Sequence, residues 1–349
     1  MIRIKEMTKN FELSSYLYDL PKELIADRPT LNRDHCRLMI YDESSDEIHH
    51  RYFYEIKDFL KKKDTLVLNN SKVIPCRLEA KKLSGGKAEI FFLNIDQASS
   101  GLYTCLIKSN SKKRLGDLFN LPGDKSLKIV SKDEKGNFLV ELDADIETYL
   151  NQYGKMPIPH YIRSGKSDEK DSIDYQNIFA SKPGSVAAPT AGLHFTKELL
   201  AHFNHAYITL HVGLGTFKPV VTKNILEHQM HSESFYVERP QVEKIESAKN
   251  IIGVGTTSLR VLESCYDRDH FNFPDKFDST DIFLHPGVDV RSIQGLITNF
   301  HLPGSSLIML VSSLIGIKKT MMLYNIAIEK KYRFYSYGDA MLILRKNYV

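Results

Sequence analysis

The chain has 349 residues, 42% of them hydrophobic and 26% charged, with a formal net charge of +4. This is the make-up of a soluble globular protein of roughly two domains. It excludes a membrane-spanning chain, because no apolar run approaches the ~20 residues that cross a bilayer. Residues 1–6 lack the apolar stretch of a secretory leader, so a cytoplasmic protein is expected. Cys36, Cys76, Cys105 and Cys265 are scattered without paired metal spacing and read as reduced thiols. The mild basicity permits a nucleic-acid partner without requiring one. Tryptophan is absent, which leaves base stacking to Tyr, Phe, His or Arg.

In chain order, the run Lys61-Lys62-Lys63 reads as solvated surface. From Asp64 to Leu142 short β-like runs alternate with turn signals. Strands are predicted at 65–68, 77–80, 88–93, 103–107, 127–130 and 138–142, with turns at 84–86, 99–101, 121–124 and 135–137. Six short strands with no helix between them predict a small closed or partly closed barrel. Beyond it the pattern changes. Residues 197–203 open a helix behind Thr196 as N-cap, and 206–210 form a strand. Residues 251–255 form a strand that runs into a helix from Thr256, and 307–314 and 319–330 are helices. Strands alternating with helices indicate an α/β domain. The predicted architecture is therefore α/β with an inserted all-β domain. Residues 1–63 and 151–349 make one discontinuous α/β catalytic domain, and 64–150 make a six-stranded β-barrel.

Several segments do not suit a packed core. Residues 185–196 and 210–217 crowd His, Thr and Gly where apolar side chains belong, as around a small polar ligand. A pair of turns with buried, hydrogen-bonded histidines would give the same strings. Gly253-Val254-Gly255-Thr256-Thr257-Ser258 joins a strand to a helix, where free amides and the macrodipole attract an anion. It is neither the full dinucleotide fingerprint nor a Walker loop. Glu227-His228-Gln229-Met230-His231-Ser232-Glu233 sets two histidines among carboxylates. No further ligand pair lies nearby, so proton transfer is the better reading and no metal is expected. Thr280-Asp281-Ile282-Phe283 is a polar pair entering an apolar strand. In Thr298-Asn299-Phe300-His301-Leu302-Pro303 an apolar strand breaks into polar groups where open α/β sheets bind ligands.

Taken in order, these motifs resemble the S-adenosylmethionine:tRNA ribosyltransferase-isomerase family of queuosine biosynthesis. The segments that carry the likeness are 187–196, His211-Val212-Gly213 with Gly215-Thr216-Phe217, Met230-His231-Ser232-Glu233, Val254-Gly255-Thr256-Thr257-Ser258, 280–283, 298–303 and Tyr337-Gly338-Asp339-Ala340-Met341. Residues 19–26 and Val73-Ile74-Pro75 fit as well, so the likeness runs nearly the full length. Four places depart from the family pattern. Asn70-Ser71-Lys72 stands for Asp-Thr-Arg, Gly304 for lysine, Leu214 for alanine and Cys36 for serine.

The resemblance implies an α/β domain with an inserted β-barrel. It also implies transfer of the ribosyl group of S-adenosylmethionine to the aminomethyl group of a 7-deazaguanine at the tRNA wobble position. The products are adenine, methionine and epoxyqueuosine. The donor is a co-substrate, with no permanently bound cofactor. His194, His211, His231 and His301 with Glu233 are the expected acid/base groups. Thr190, Gly192, Gly213, Gly215, Thr216, Gly255, Thr256, Thr257, Asp281 and Asn299 are expected around the donor, and Asp281 could pair with its ammonium. Arg33, Arg77, Lys82, Lys87 and Arg260 are expected to meet the RNA, through the anticodon loop, and a monomer is expected. A methyltransferase would need a Gly-rich loop after its first strand, and none is evident. A non-catalytic RNA-binding module would leave the His/Thr/Gly clusters unexplained.

Overall fold

The computed structural model describes residues 10–94, 101–134, 136–213, 215 and 219–348. The chain divides into two compact units. One comprises Met1–Ser71, Asn177–Lys182 and Ala188–Val349, and the other Lys72–Gln176 and Pro183–Ala187.

The first unit is built on a nine-stranded sheet. Its order across the sheet is Asp278–Thr280, Glu233–Tyr236, Asn204–Leu210, Asp64–Asn69, Asn250–Val254, Gly295–Asn299, Ala340–Leu344, Arg37–Asp42 and Glu47–Tyr52. The four strands from Asn204–Leu210 to Gly295–Asn299 run parallel. Ala340–Leu344 reverses against them. The central strands Asp64–Asn69, Asn250–Val254 and Gly295–Asn299 are buried at every position, the signature of a sheet covered on both faces. One face packs Leu66, Leu68, Ile252, Val254 and Ile297 against Phe53, Phe195, Leu199 and Leu200. The helices Thr256–Ser264 and Ser306–Ile315 follow strands as the sequence pattern indicates, and Ile317–Glu329 continues directly from the second. Thr196 caps Lys197–Leu200, accepting from the Leu199 amide at 3.1 Å. No described helix is long and apolar enough to cross a membrane.

The second unit contains a closed six-stranded antiparallel barrel of Arg77–Lys82, Lys87–Asn94, Leu102–Ser109, Leu118–Leu121, Lys125–Lys132 and Phe138–Leu142. The strand number matches the expectation, but the membership differs. The predicted first strand, 65–68, lies at the centre of the large sheet, and Leu118–Leu121 takes its place in the barrel. The reason is visible in the burial pattern. Thr65-Leu66-Val67-Leu68 is continuously buried, whereas barrel strands alternate, as Lys125–Lys132 does with Leu127 and Ile129 inside. Helix Ile146–Tyr153 also belongs to this unit, capped by Asp145 through the Thr148 amide at 2.9 Å.

Candidate active site

The four parallel strands end side by side, and each leads into polar residues. Asn204–Leu210 delivers His211, Asp64–Asn69 delivers Asn70 and Ser71, and Asn250–Val254 delivers Gly255 and Thr256. Gly295–Asn299 closes on Thr298 and Asn299, with His301 just beyond. This carboxyl edge is where open α/β sheets bind ligands. Two antiparallel strands extend it, setting Glu233 opposite Thr280.

His194 ends the turn Thr190–His194 and is only 4% exposed. The Asn299 amide nitrogen lies 3.1 Å from His194 Nε2 and 3.2 Å from the Tyr335 carbonyl oxygen. Asn299 Oδ1 accepts from the Thr190 hydroxyl at 3.0 Å. A carbonyl only accepts, so the Asn299 NH2 is the group facing Tyr335 and His194. His194 Nε2 must then carry a lone pair, and the ring proton sits on Nδ1. Cys36 Sγ, 3.2 Å from Nδ1, accepts it. Both ring nitrogens are thus held by protein. Burial, with Arg333 and Arg33 adding repulsion, pulls the His194 pKa down to about 3. Burial likewise pushes the Cys36 thiol well up, so the pair is neutral.

His301 is similarly desolvated, with its pKa lowered to about 3. Its Nε2 lies 2.7 Å from Thr298 Oγ1. Its amide donates to the Tyr324 hydroxyl at 3.1 Å, and its carbonyl accepts from Tyr18.

Glu233 and Arg260 form an ion pair whose side chains are only 3% and 4% exposed. The other Glu233 oxygen accepts from the Gly213 amide at 2.8 Å. Arg260 also donates to the Ile282 and Thr280 carbonyls at 3.3 and 3.2 Å. Glu233, Arg260, Gly215, His228, Met230, His231, Ser306 and Leu307 line a small, partly open cavity. Gly215 is there for room, since a Cβ would come within 2.2 Å of the His231 ring.

His211 Nδ1 lies 2.8 Å from Ser71 Oγ. Asn69 sets the geometry of this pair. Its Oδ1 accepts from the Ser71 and Leu210 amides at 3.0 and 3.1 Å, and its amide nitrogen donates to the Leu210 carbonyl at 2.9 Å. Thr209 donates to Asn70 Oδ1 at 2.7 Å. At the start of helix Thr256–Ser264, Thr256 and Thr257 are 7% and 6% exposed. The Thr257 hydroxyl has no hydrogen-bond partner among the described residues. A Cβ on Gly255 would sit 3.5 Å from both Thr257 Oγ1 and Ala191 Cβ, so the helix start adjoins the Thr190–His194 turn. Free amides, the helix dipole and an unpaired hydroxyl together favour an anion. Among the described residues no group of three or more His, Cys, Asp and Glu converges as metal ligands do.

Residues 13–343 match the family described as queuosine biosynthesis protein. The chain belongs to that family. It is 44% identical over 343 residues to an S-adenosylmethionine:tRNA ribosyltransferase-isomerase of Sulfurihydrogenibium sp. (strain YO3AOP1), covering 95% of this chain and 100% of the relative. A relative of the same name from Legionella pneumophila (strain Lens) is 45% identical over 341 residues, covering 94% and 98%. Among solved structures, the S-adenosylmethionine tRNA ribosyltransferase from Thermotoga maritima is 30% identical with a TM-score of 0.52. That match covers 95% of this chain and all of the other.

Within this queuosine family member, the sequence-based site residues fall into distinct settings. Thr190, His194 and Asn299 share one hydrogen-bonded network, and His301 bonds separately to Thr298, Tyr324 and Tyr18. Gly213, Gly215, His231 and Glu233 line or brace the cavity. Gly192 is buried where a Cβ would meet Asn177 and Phe179. Asp281 is exposed, one residue past Thr280. Thr216, like Leu214 and Phe217, lies outside the described residues. Three residues expected at an RNA surface are committed internally. Arg260 is buried against Glu233. Arg77 donates to the Gly165 and Ile158 carbonyls at 2.5 and 3.3 Å. Lys82 donates to Asp117 at 2.6 Å and to the Lys112 carbonyl at 2.9 Å. Lys87 is exposed and Arg33 half-buried. Sequence reasoning passed over Asn69 and Ser71 as functional groups, although three polar residues in a row after an apolar strand are a readable signal. The Glu233–Arg260 pairing left none. Gly304, where the family pattern carries lysine, has φ +66°, and a Cβ would sit 3.1 Å from Leu17. A side chain there would be strained.

Proposed function

We propose that this chain is an S-adenosylmethionine:tRNA ribosyltransferase-isomerase. It transfers and isomerises the ribosyl moiety of S-adenosylmethionine onto the 7-aminomethyl-7-deazaguanine at the wobble position of tRNA. It releases adenine and methionine and leaves epoxyqueuosine in the RNA. The observation that carries this reading is the 44% identity to enzymes of that name across 95% of the chain. S-adenosylmethionine is consumed in each turnover and is a co-substrate.

The chemistry needs a base for carbon, an acid for adenine and a hold on the donor. The sulfonium acidifies the C5′ hydrogens, and His211 takes one. A base of pKa near 3 accepts protons poorly at neutral pH, which argues against His194 and His301. The electron pair at C5′ forms a double bond to C4′ and breaks C4′–O4′. The alkoxide at C1′ collapses to an aldehyde as the bond to adenine breaks. His231, beside Glu233 at the cavity, supplies the proton with which adenine leaves. The tRNA amine adds at C4′ and gives up a proton, and C5′ closes onto C1′. The new alkoxide then displaces methionine from C5′ to form the epoxide. The methionine carboxylate sits on the Thr256 and Thr257 amides, where the Thr257 hydroxyl gains the partner it lacks. Asp281 pairs with the donor's ammonium.

The RNA side follows from phosphate electrostatics, to which Lys87 and Arg33 contribute and which makes affinity salt-dependent. A reacting base must leave its stack, so an anticodon loop is an easier target than a duplex. The β-barrel unit grips the RNA, and the protein works as a cytoplasmic monomer. Incubating the purified chain with S-adenosylmethionine and tRNA bearing the aminomethyl-deazaguanine tests the reading. Adenine and an epoxide-bearing nucleoside are the expected products. S-adenosylhomocysteine, or a donor left intact beside bound tRNA, would overturn it.

A further inference from the structure

Phe277 has no evident duty in the fold. It directly precedes the edge strand Asp278–Thr280, and the residue is 59% exposed. Among the described residues it is the most exposed of the large aromatics, ahead of Tyr52 at 49%. The ring is not loosely placed. It stacks on His211 with 6.1 Å between centroids and 13° between planes. It also stacks on Tyr236 at 5.3 Å and 27°. The pairing of Phe235 with Asp278 accounts for this, because it brings Phe277 alongside Tyr236 at the end of the sheet. His211 is in turn fixed by Ser71. Three nearly parallel rings therefore adjoin the carboxyl edge, with Phe277 the most exposed of them. The residues around it, from Asp275 to Ser279, are exposed and polar.

We propose that Phe277 is a nucleobase-stacking platform, the most exposed member of an aromatic cluster in which its ring stacks on both the imidazole of His211 and Tyr236. The inference rests on the reaction assigned above, whose substrates both present heteroaromatic bases: the adenine of the donor and the unstacked bases of an anticodon loop. A planar base covers an exposed phenyl ring and is tolerated whatever its hydrogen-bonding edge, because every base has a π-face. A base seated against Phe277 is held beside His211, so the platform positions substrate as well as binding it.

The absence of tryptophan from the chain gives a direct test. F277W introduces the only indole, at an exposed position that leaves the core untouched. Its fluorescence, excited clear of tyrosine, is titrated separately with tRNA and with S-adenosylmethionine. Quenching by one ligand is expected and identifies which base stacks. In parallel, F277L is expected to raise KM for that ligand by roughly five- to hundred-fold, the worth of one base–aromatic stack, while KM for the other stays put. An indole blind to both ligands, with both KM values unchanged in F277L, sinks the proposal. The two readings fail separately. An unaltered chain that releases no adenine defeats the assigned reaction, while the binding titrations still decide whether a base sits on residue 277.

Discussion

His194 and His211 occupy the same edge of one sheet and meet opposite surroundings. His194 is walled in. Its Nε2 accepts a hydrogen bond from Asn299, its Nδ1–H donates to Cys36, and its pKa is lowered to about 3. His211 is half-buried, held through Nδ1 by a serine hydroxyl and stacked on an exposed phenyl ring. A neutral ring with both nitrogens engaged orders its neighbours, here the Asn299 amide and through it the Thr190 hydroxyl. A ring at the open end of a strand can exchange protons with a ligand. The contrast teaches that a histidine count does not identify a catalyst, and that the burial and surroundings of each ring do.

The largest expected effect breaks or keeps this contrast. His211→Ala should lower turnover by roughly a hundred- to ten-thousand-fold, the usual worth of a positioned base, with tRNA affinity and melting temperature close to those of the parent. His194→Ala should act chiefly on stability, because it leaves the Asn299 amide short of an acceptor in a buried site. Adenine release measured beside thermal melting separates the two. If the variants lose turnover equally at equal stability, the distinction between them is wrong.

Next in size is the Glu233–Arg260 pair. Arg260→Met strands a carboxylate that is 3% exposed. Removing one partner of a buried pair typically costs about 3–5 kcal/mol, and chemical denaturation should register that loss. Glu233→Gln in the same chain should recover much of it, since the amide carries no charge to be left behind and its oxygen can still accept from Gly213. A double variant as unstable as Arg260→Met alone would mean that packing of the Arg260 stem, and not charge, dominates.

These side chains also mark how much was legible in the sequence. The α/β class, the six-strand barrel and most elements were readable because periodicity and turn residues are local signals. The strand Asp64–Asn69 was misassigned because a strand buried on both faces has no alternation to set it apart, and its neighbours in the chain are barrel strands. The polar edge was readable from His211, Thr256 and Asn299, since polar residues interrupting apolar strands have few structural uses. What could not be read was pairing. Arg260 lies 27 residues from Glu233 in the chain and looks like any surface cation until the fold buries it. Cys36 and His194 are 158 residues apart. No spacing rule connects them, because their contact is made by the sheet and not by the segment.

A third prediction uses pH. His194 and His301 have folded-state pKa values lowered to about 3, against about 6.5 in an unfolded chain. Between those values the unfolded state binds protons that the folded state refuses, so stability falls as pH drops from 6.5 toward 3. Each histidine contributes a slope of about 1.4 kcal/mol per pH unit within that window. Above pH 6.5 neither contributes. Denaturation midpoints measured between pH 7 and 5, ahead of most carboxylates, should show the decline, and His301→Gln should make it shallower. A stability flat from pH 7 to 5 would mean that both rings are already protonated in the fold.

The smallest effect sharpens the contrast most. If Cys36 serves only as the acceptor for His194 Nδ1–H, then Cys36→Ser keeps an acceptor and should change stability by less than about 1 kcal/mol. Adenine release should stay within a few-fold of the parent. Cys36→Val fills similar space and offers no acceptor. It should cost roughly 1–3 kcal/mol, the penalty for a buried donor left unpaired. It should also free the imidazole to take the other tautomer. In that tautomer Nε2 carries the proton and opposes the Asn299 NH2, which stays turned toward the Tyr335 carbonyl. The two donors would push apart, and the Thr190–Asn299 contact would loosen with them. A larger fall in turnover for Cys36→Val than for Cys36→Ser, with His194 nitrogen shifts reporting the tautomer change by NMR, is therefore the expected pattern. Equal behaviour of the two variants would show that sulfur holds no proton in place, and that Asn299 alone sets the ring.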